Sequence, residues 1–283
     1  MRKSTKNNII HGILIIFVIF FAIIASVTAA LRDVTVQCMI ARSVATELSK
    51  RLNADVRIKT FYITNDGTIC IENVHANDLY GYPLFKIGEL NAKISLSFDS
   101  DVLRFKNIYI KDVLGRIVKY EGDQKLNATE LFAQLKSGGG NDHDTETNFH
   151  LKVDKLQVDN CHVVYWNQNR DDPGRKSMDY AHIDIDSIYG TFSKLEMFND
   201  TIMGMVHTLR GKDRCGLILK DGSGDVLFCE KSLTVDSLKL STGESHVDLD
   251  LRFDYNNSRA YDEFVDSVYM TSNIRESSFC SAT

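Results

Sequence analysis

Proline is nearly absent from this chain: two residues in 283, Pro83 and Pro173. No rigid proline-rich spacer can separate its parts. Six cysteines occur, at 38, 70, 161, 215, 229 and 280, and none stands in a CxxC or CxxxC pair. That spacing argues against zinc ribbons and thioredoxin-type chemistry. It favours small buried thiols, while leaving disulfides open in an oxidising compartment. The chain also lacks a GxSxG elbow, a P-loop, a GxGxxG turn and an HExxH pair. Its eight histidines are scattered. Acidic residues mostly alternate with apolar ones, as on the wet face of a sheet. No nucleophile, general base, metal ligand or cofactor is assigned, and the chain reads as a non-enzyme.

Charge is missing from one long stretch. Residues 12–31 run from Gly12 through Ile16, Phe20 and Ile24 to Leu31 without a charged side chain. As a helix at ~1.5 Å per residue, such a run covers about 30 Å, the hydrocarbon thickness of a bilayer. Arg2, Lys3 and Lys6 precede it with no acidic residue among them. Positive flanks stay on the cytoplasmic side. The expectation is a single-pass anchor with its N-terminus inside and the bulk of the chain delivered across the membrane. A cleavable signal peptide is the rival reading, with Val27, Thr28 and Ala29 resembling a cleavage site, although signal cores are usually shorter. Residues 32–283 hold 30 Lys+Arg against 38 Asp+Glu, a net charge of −8. That balance argues against a nucleic-acid partner, which would need a basic footprint, and against a polybasic grip on anionic headgroups.

After the anchor, Val36, Ile40, Val44, Leu48 and Leu52 recur every four residues, which predicts an amphipathic helix closed near Asn53. The period then falls to two. Val56 and Ile58, then Phe61 and Ile63 in the opposite parity, lead to the turn Asn65-Asp66-Gly67. Residues 68–78 read as the return strand, and 79–84 as a loop. Ile94, Leu96 and Phe98 alternate with Lys93, Ser95 and Ser97 as a half-buried strand should. Strands follow at 102–111 and 117–120, then a short helix at 128–135 capped by Asn127.

Residues 137–148 (SGGGNDHDTETN) contain no apolar side chain and read as a flexible linker. It divides a first β-region, 32–136, from a second, 149–283, which looks truncated at its C-terminal end. Asp142, His143 and Asp144 within it are weak metal candidates, more simply solvated. Strand signals resume at 151–153, 156–158, 163–166, 183–188 and 233–240, and a hairpin is expected around Asp221-Gly222. The cleanest alternation is Val247, Leu249, Leu251, Phe253 and Tyr255 against His246, Asp248, Asp250, Arg252 and Asp254. Such a strand belongs to a sheet with one wet face, typically antiparallel.

One unit recurs: apolar, two polar, apolar–any–apolar. It begins at Ile71, Phe105 and Val153, and in part at Ile185. The two-polar step breaks strict alternation, as a bulge or bend would. Recurrence of this kind suggests a stacked, elongated β-structure.

The order of parts completes the pattern. An anchor and an amphipathic helix lead into Leu48-Ser-Lys-Arg-Leu52-Asn-Ala-Asp-Val56-Arg-Ile58. Ile71-Glu-Asn-Val74, Leu84-Phe-Lys-Ile87-Gly-Glu-Leu90, Phe105-Lys-Asn-Ile108-Tyr-Ile110 and Leu156-Gln-Val158-Asp-Asn-Cys-His-Val163 follow. Over nearly its whole length the chain resembles the N-terminal region of TamB-like proteins of the AsmA superfamily. The resemblance implies a mainly β fold, an elongated curved antiparallel sheet with an apolar groove. It implies an inner-membrane protein with a periplasmic body, active in phospholipid transport between inner and outer membranes or in outer-membrane protein assembly. Its partners would be phospholipid acyl chains, and an outer-membrane barrel met through a region missing here. Ile94, Leu96, Phe98, Val247, Leu249, Leu251 and Phe253 are the candidate groove residues. The alternative is a membrane-tethered interaction module with a closed β-core.

Overall fold

The computed structural model describes residues 33–52, 55–64, 66–95, 102–128, 150–174, 179–198, 201–255 and 268–280. The anchor residues Gly12, Ile16, Phe20, Ile24 and Leu31 lie outside them. So do Asn53, Leu96, Phe98, the 137–148 linker with Asp142, His143 and Asp144, and the helix expected beyond Ala128. Among the described residues no helix is long and apolar enough to cross a membrane.

Among the described residues one helix, α1 (Val34–Leu52), precedes twelve strands. They are β1 (Asp55–Ile63), β2 (Thr68–Asn77), β3 (Pro83–Ile94), β4 (Val102–Lys119), β5 (His150–Asn167) and β6 (His182–Phe198). Then come β7 (Thr201–Asp213), β8 (Ile218–Leu219), β9 (Asp221–Cys229), β10 (Ser232–Ser241), β11 (His246–Tyr255) and β12 (Val268–Ile274). All belong to one sheet, ordered β1-β2-β3-β4-β5-β6-β7-β9-β10-β11-β12, with the two-residue β8 beside β7. The sheet is curved and does not close.

Several expectations need correction. β4 is one strand of 18 residues where two were expected, and β5 fuses three short signals into another. β4 and β5 run parallel, so the sheet is not purely antiparallel. The chain between them returns to the end where β4 began, a distance of about 60 Å at ~3.3 Å per residue. Asp221 and Gly222 open β9 rather than turning a hairpin, and the turn lies at Arg214–Gly216 instead. β7 was not foreseen: Gly204, His207, Thr208 and Gly211 erase its alternation.

The two-polar step has a backbone cause. Asn73, Asp112, Asn160, Ser187 and Ser237 adopt left-handed φ of 51–54°, as does Lys194. Asn and Asp tolerate this region best, because short polar side chains bond locally. In Ile71-Glu72-Asn73-Val74 the left-handed residue returns Val74 to the face of Ile71. Ile110–Val113, Val158–Cys161, Ile185–Ile188 and Val235–Leu238 repeat the device. In the units starting at Phe105 and Val153 the left-handed residue therefore closes the unit rather than sitting in its two-polar step. The positions align across the sheet. Register sets Asn73 opposite Gly88, Gly88 opposite Asp112, and Asp112 opposite Asn160, whose Nδ2 donates to Asp112 Oδ1 at 2.6 Å. Gly88 is required there, since a Cβ would stand 2.7 Å from that of Asp112. A crease thus crosses neighbouring strands at one level.

Ser187, at φ 53°, tests the crease without disturbing that hydrogen bond. Ser187→Val should destabilise the protein by about 1–2 kcal/mol, the cost of a left-handed L-residue, whereas Ser187→Gly should change stability by only tenths. Urea unfolding measures both.

Candidate functional site: the apolar face of the sheet

Residues opposite one another in neighbouring strands share a face. Register therefore assembles the site. One level runs Ile63–Ile69–Ala92–Ile108 through β1 to β4. It continues Ile108–Leu156–Phe192–Val206 through β5, β6 and β7. The next level runs Ile94–Phe105–Val153–Leu195 and resumes as Gly204–Val226–Val235–Leu251. A Cβ on Gly204 would meet Leu195 Cδ2 at 2.4 Å, which puts both halves on one side of the sheet. A third level passes Leu103–Leu151–Met197–Ile202–Phe228 to Leu233, Phe253 and Met270. Because each strand steps at the crease, apolar residues stay on this face over the full length of β4, β5 and β6.

The reverse face is polar along its central levels, while Val118 and Trp166 pack on it near the ends of β4 and β5. Glu72, Glu89, Lys111 and Asp159 occupy one level, and Asn91, Tyr109, Gln157, Thr191 and Thr208 the next. Arg104 pairs there with Asp154 at 2.9 Å, and Lys93 with Asp66 at 2.8 Å.

Where they are described, the candidate groove residues lie on this face. Ile94 pairs with Phe105; Val247, Leu249, Leu251 and Phe253 pair with Leu240, Leu238, Val235 and Leu233. All are half-buried on the same face, many strands apart. The middle of the face, Ile108, Ile110, Leu156, Val158 and Phe192, was not singled out from sequence. Its signal was the recurring unit, which needed register to become a surface.

Among the described residues, little covers this face. α1 packs against β1, and the one buried hydrophobic cluster among the described residues, Val56, Val74 and Ala76, lies there. Ala41 and Ala45 are the buried side chains of α1. Farther along, Leu103, Val163 and Ile202 remain 40–44% exposed. The six cysteines are free thiols, with Cys70 and Cys161 buried.

Two titratable groups with shifted pKa, Asp78 and Tyr120, meet beside a turn. Asp78 is buried before β3. Burial alone would raise its carboxyl, but bonds from Tyr120, Asn127 and the Tyr82 and Tyr80 amides outweigh it and hold it below the usual carboxylate range. Tyr120 Oη lies 2.5 Å from Asp78 Oδ2. Burial, and then this bond, push the Tyr120 phenol up to about 12. Asp172, Asp179 and His182 bring ligand atoms within 4.8 Å of one another, a spacing a metal could use. Each already has a protein partner. His182 Nδ1 meets Asp179 at 2.5 Å and its Nε2 meets the Asn167 carbonyl at 3.0 Å. Asp172 holds Arg214, which stacks 4.8 Å over Trp166. The group clamps the ends of β5, β6 and β7. Ser193 Oγ and His207 Nε2 are 2.7 Å apart, and Ser241 Oγ and His246 Nδ1 3.0 Å. Both pairs are exposed, and neither is joined by a carboxylate among the described residues, so nothing there excludes water or orients a base.

No protein-family model and no curated protein sequence matches this chain. The site therefore has to be read from its own geometry: a single-layer sheet with one contiguous, half-exposed apolar face.

Asp78→Asn should cost about 1–3 kcal/mol at neutral pH, because an amide keeps one acceptor oxygen, whereas Asp78 accepts from Tyr120 and Asn127 at Oδ2 and from the Tyr80 and Tyr82 amides at Oδ1. The folded carboxyl has a depressed pKa, so its stabilisation is present above the unfolded value near 3.9 and is lost as pH falls through the folded value. The gap between wild type and variant should therefore shrink below about pH 4, as read by denaturant titrations across that range.

Proposed function

We propose that this chain is an envelope protein of TamB-like, AsmA-superfamily type, tethered to the inner membrane by residues 12–31. Its periplasmic sheet shelters phospholipid acyl chains passing between inner and outer membranes, or serves outer-membrane protein assembly. One observation carries the reading: an apolar face continuous across the sheet and left half-exposed, with α1 over one end only. Acyl chains gain ~0.8 kcal/mol for each CH₂ removed from water, so a long apolar face is a strong binding surface for them. The chemistry of the face suits that ligand. It is aliphatic and aromatic, it carries no ion pair along its central levels, and its extent matches a chain-like rather than a compact molecule. The order of sequence parts, from basic tip to apolar run to helix to creased strands, supports the same reading. The competing reading, an interaction module with a closed β-core, requires a second apolar layer, and the described residues supply only α1.

Native mass spectrometry of the full chain after gentle extraction tests the proposal. Wild type should carry phospholipid in stoichiometric amount. The double variant Leu249→Asp, Leu251→Asp should lose at least about tenfold of it, equivalent to ~1.4 kcal/mol, because each carboxylate faces hydrocarbon. The reverse-face pair Gln157→Asp, Thr191→Asp should keep its lipid. A lipid-free wild type, or equal loss in both variants with the fold intact by circular dichroism, would overturn the reading.

A further inference from the structure

The two edges of the sheet are finished differently. At β1, Ser49 of α1 closes the outer backbone: its Oγ accepts from Val56 N at 3.0 Å and donates to Val56 O at 3.2 Å. Arg57 and Lys59 add charge to that strand. These are the devices that keep an edge from pairing.

β12, at the other edge, has none of them. Its sequence, VYMTSNI, contains no charge, no proline and no glycine. Every residue after Val268 is exposed, Tyr269 at 73% and Met270 and Ile274 at 58%. Its pairing to β11 shows which backbone groups are free. Arg275 N donates to Asp248 O at 2.8 Å, and the register places Asn273, Thr271 and Tyr269 opposite Asp250, Arg252 and Asp254. Antiparallel hydrogen bonding alternates along a strand. The odd-numbered residues therefore bond β11, and Val268, Met270, Ser272 and Ile274 point their N–H and C=O groups outward. Another extended backbone can satisfy the whole row at once.

We propose that a second copy of this chain occupies this edge, its β12 antiparallel about a two-fold axis at Thr271. This register is the one that pairs all seven residues with outward-facing groups matched. Val268 then bonds Ile274, and Met270 bonds Ser272, all on the apolar face, while Tyr269 meets Asn273 on the reverse. The uncharged strand lets two net-acidic chains approach without like charges opposed. At the β1 edge, Ser49 caps Val56 and Arg57 and Lys59 carry charge, which opposes head-to-tail growth and favours an isologous dimer. The apolar face would run unbroken from one copy into the other. The inference stands on the edge alone and does not depend on the lipid reading.

Thr271 would form a non-hydrogen-bonded pair with its own counterpart, with Cα atoms about 4.5 Å apart, within disulfide reach. The test uses the full chain in detergent with Cys38 and Cys280 replaced by serine. Thr271→Cys should oxidise to a species of twice the 32.0 kDa chain mass. Asn273→Cys, which faces Tyr269 of the other copy, should not. Adding Ser272→Pro removes one outward N–H and leaves the β11 ladder intact; it should cut the Thr271→Cys yield at least about tenfold, with an unchanged circular dichroism spectrum. A Thr271→Cys chain that stays monomeric under oxidant, equal cross-linking by Asn273→Cys, or an adduct with a different polypeptide would each overturn the proposal.

Discussion

A single-layer sheet has two faces and must leave at least one of them to something other than a second layer. That constraint governs this protein. In a two-layer fold, apolar side chains along each strand meet those of another sheet or of several helices. Among the described residues, α1 packs against β1, and the rest of the apolar face is packed only sideways, each side chain against its cross-strand neighbours. Stability then rests on lateral pairing and register more than on a buried core, and the apolar face remains available to a ligand.

The crease makes this possible on long strands. Without it, the two-polar steps would carry every residue beyond them to the opposite face. The left-handed residues at Asn73, Asp112, Asn160, Ser187 and Lys194 restore the side at their own steps, and the register shift between Lys93 and Ile94 keeps Phe105 and Ile108 on one face, so β4, β5 and β6 stay apolar on that face across 17–18 residues. Glycines serve the same surface. Gly190 and Gly204 sit beneath Phe192 and Leu195, whose side chains occupy the space a Cβ would need. The turns are finished with polar clamps, Asp78 with Tyr120 and Asn127 at one, and Arg214 with Asp172 and Trp166 at another. These bonds account for the lowered pKa of Asp78 and Asp172.

Much of this was legible from residues alone, and the failures have physical reasons. Clean alternation revealed β11, and the change of period marked where α1 gives way to β1. The recurring unit announced the crease, although sequence could not say that its residues align across strands, because alignment is a property of pairing. β7 escaped notice because glycines stand where apolar residues would have signalled it. The parallel pairing of β4 with β5 was invisible for a similar reason: alternation shows which side a residue faces but not which strand lies beside it. The candidate face was recognised at Ile94 and in β11, at two distant places. Its centre appeared only when Ile108, Leu156 and Phe192 were found opposite one another.

The central claim is that lipid lies against one face of the sheet and not the other. Adjacent residues of β5 separate the two: Leu156 opposes Phe192 on the apolar face, and Gln157 opposes Thr191 on the polar one. A photo-reactive phenylalanine analogue placed at each position in the full chain, and irradiated in intact envelope, reads contact directly. The account predicts a phospholipid adduct at position 156 and none at 157. Equal labelling at both, or labelling at 157 alone, would contradict it.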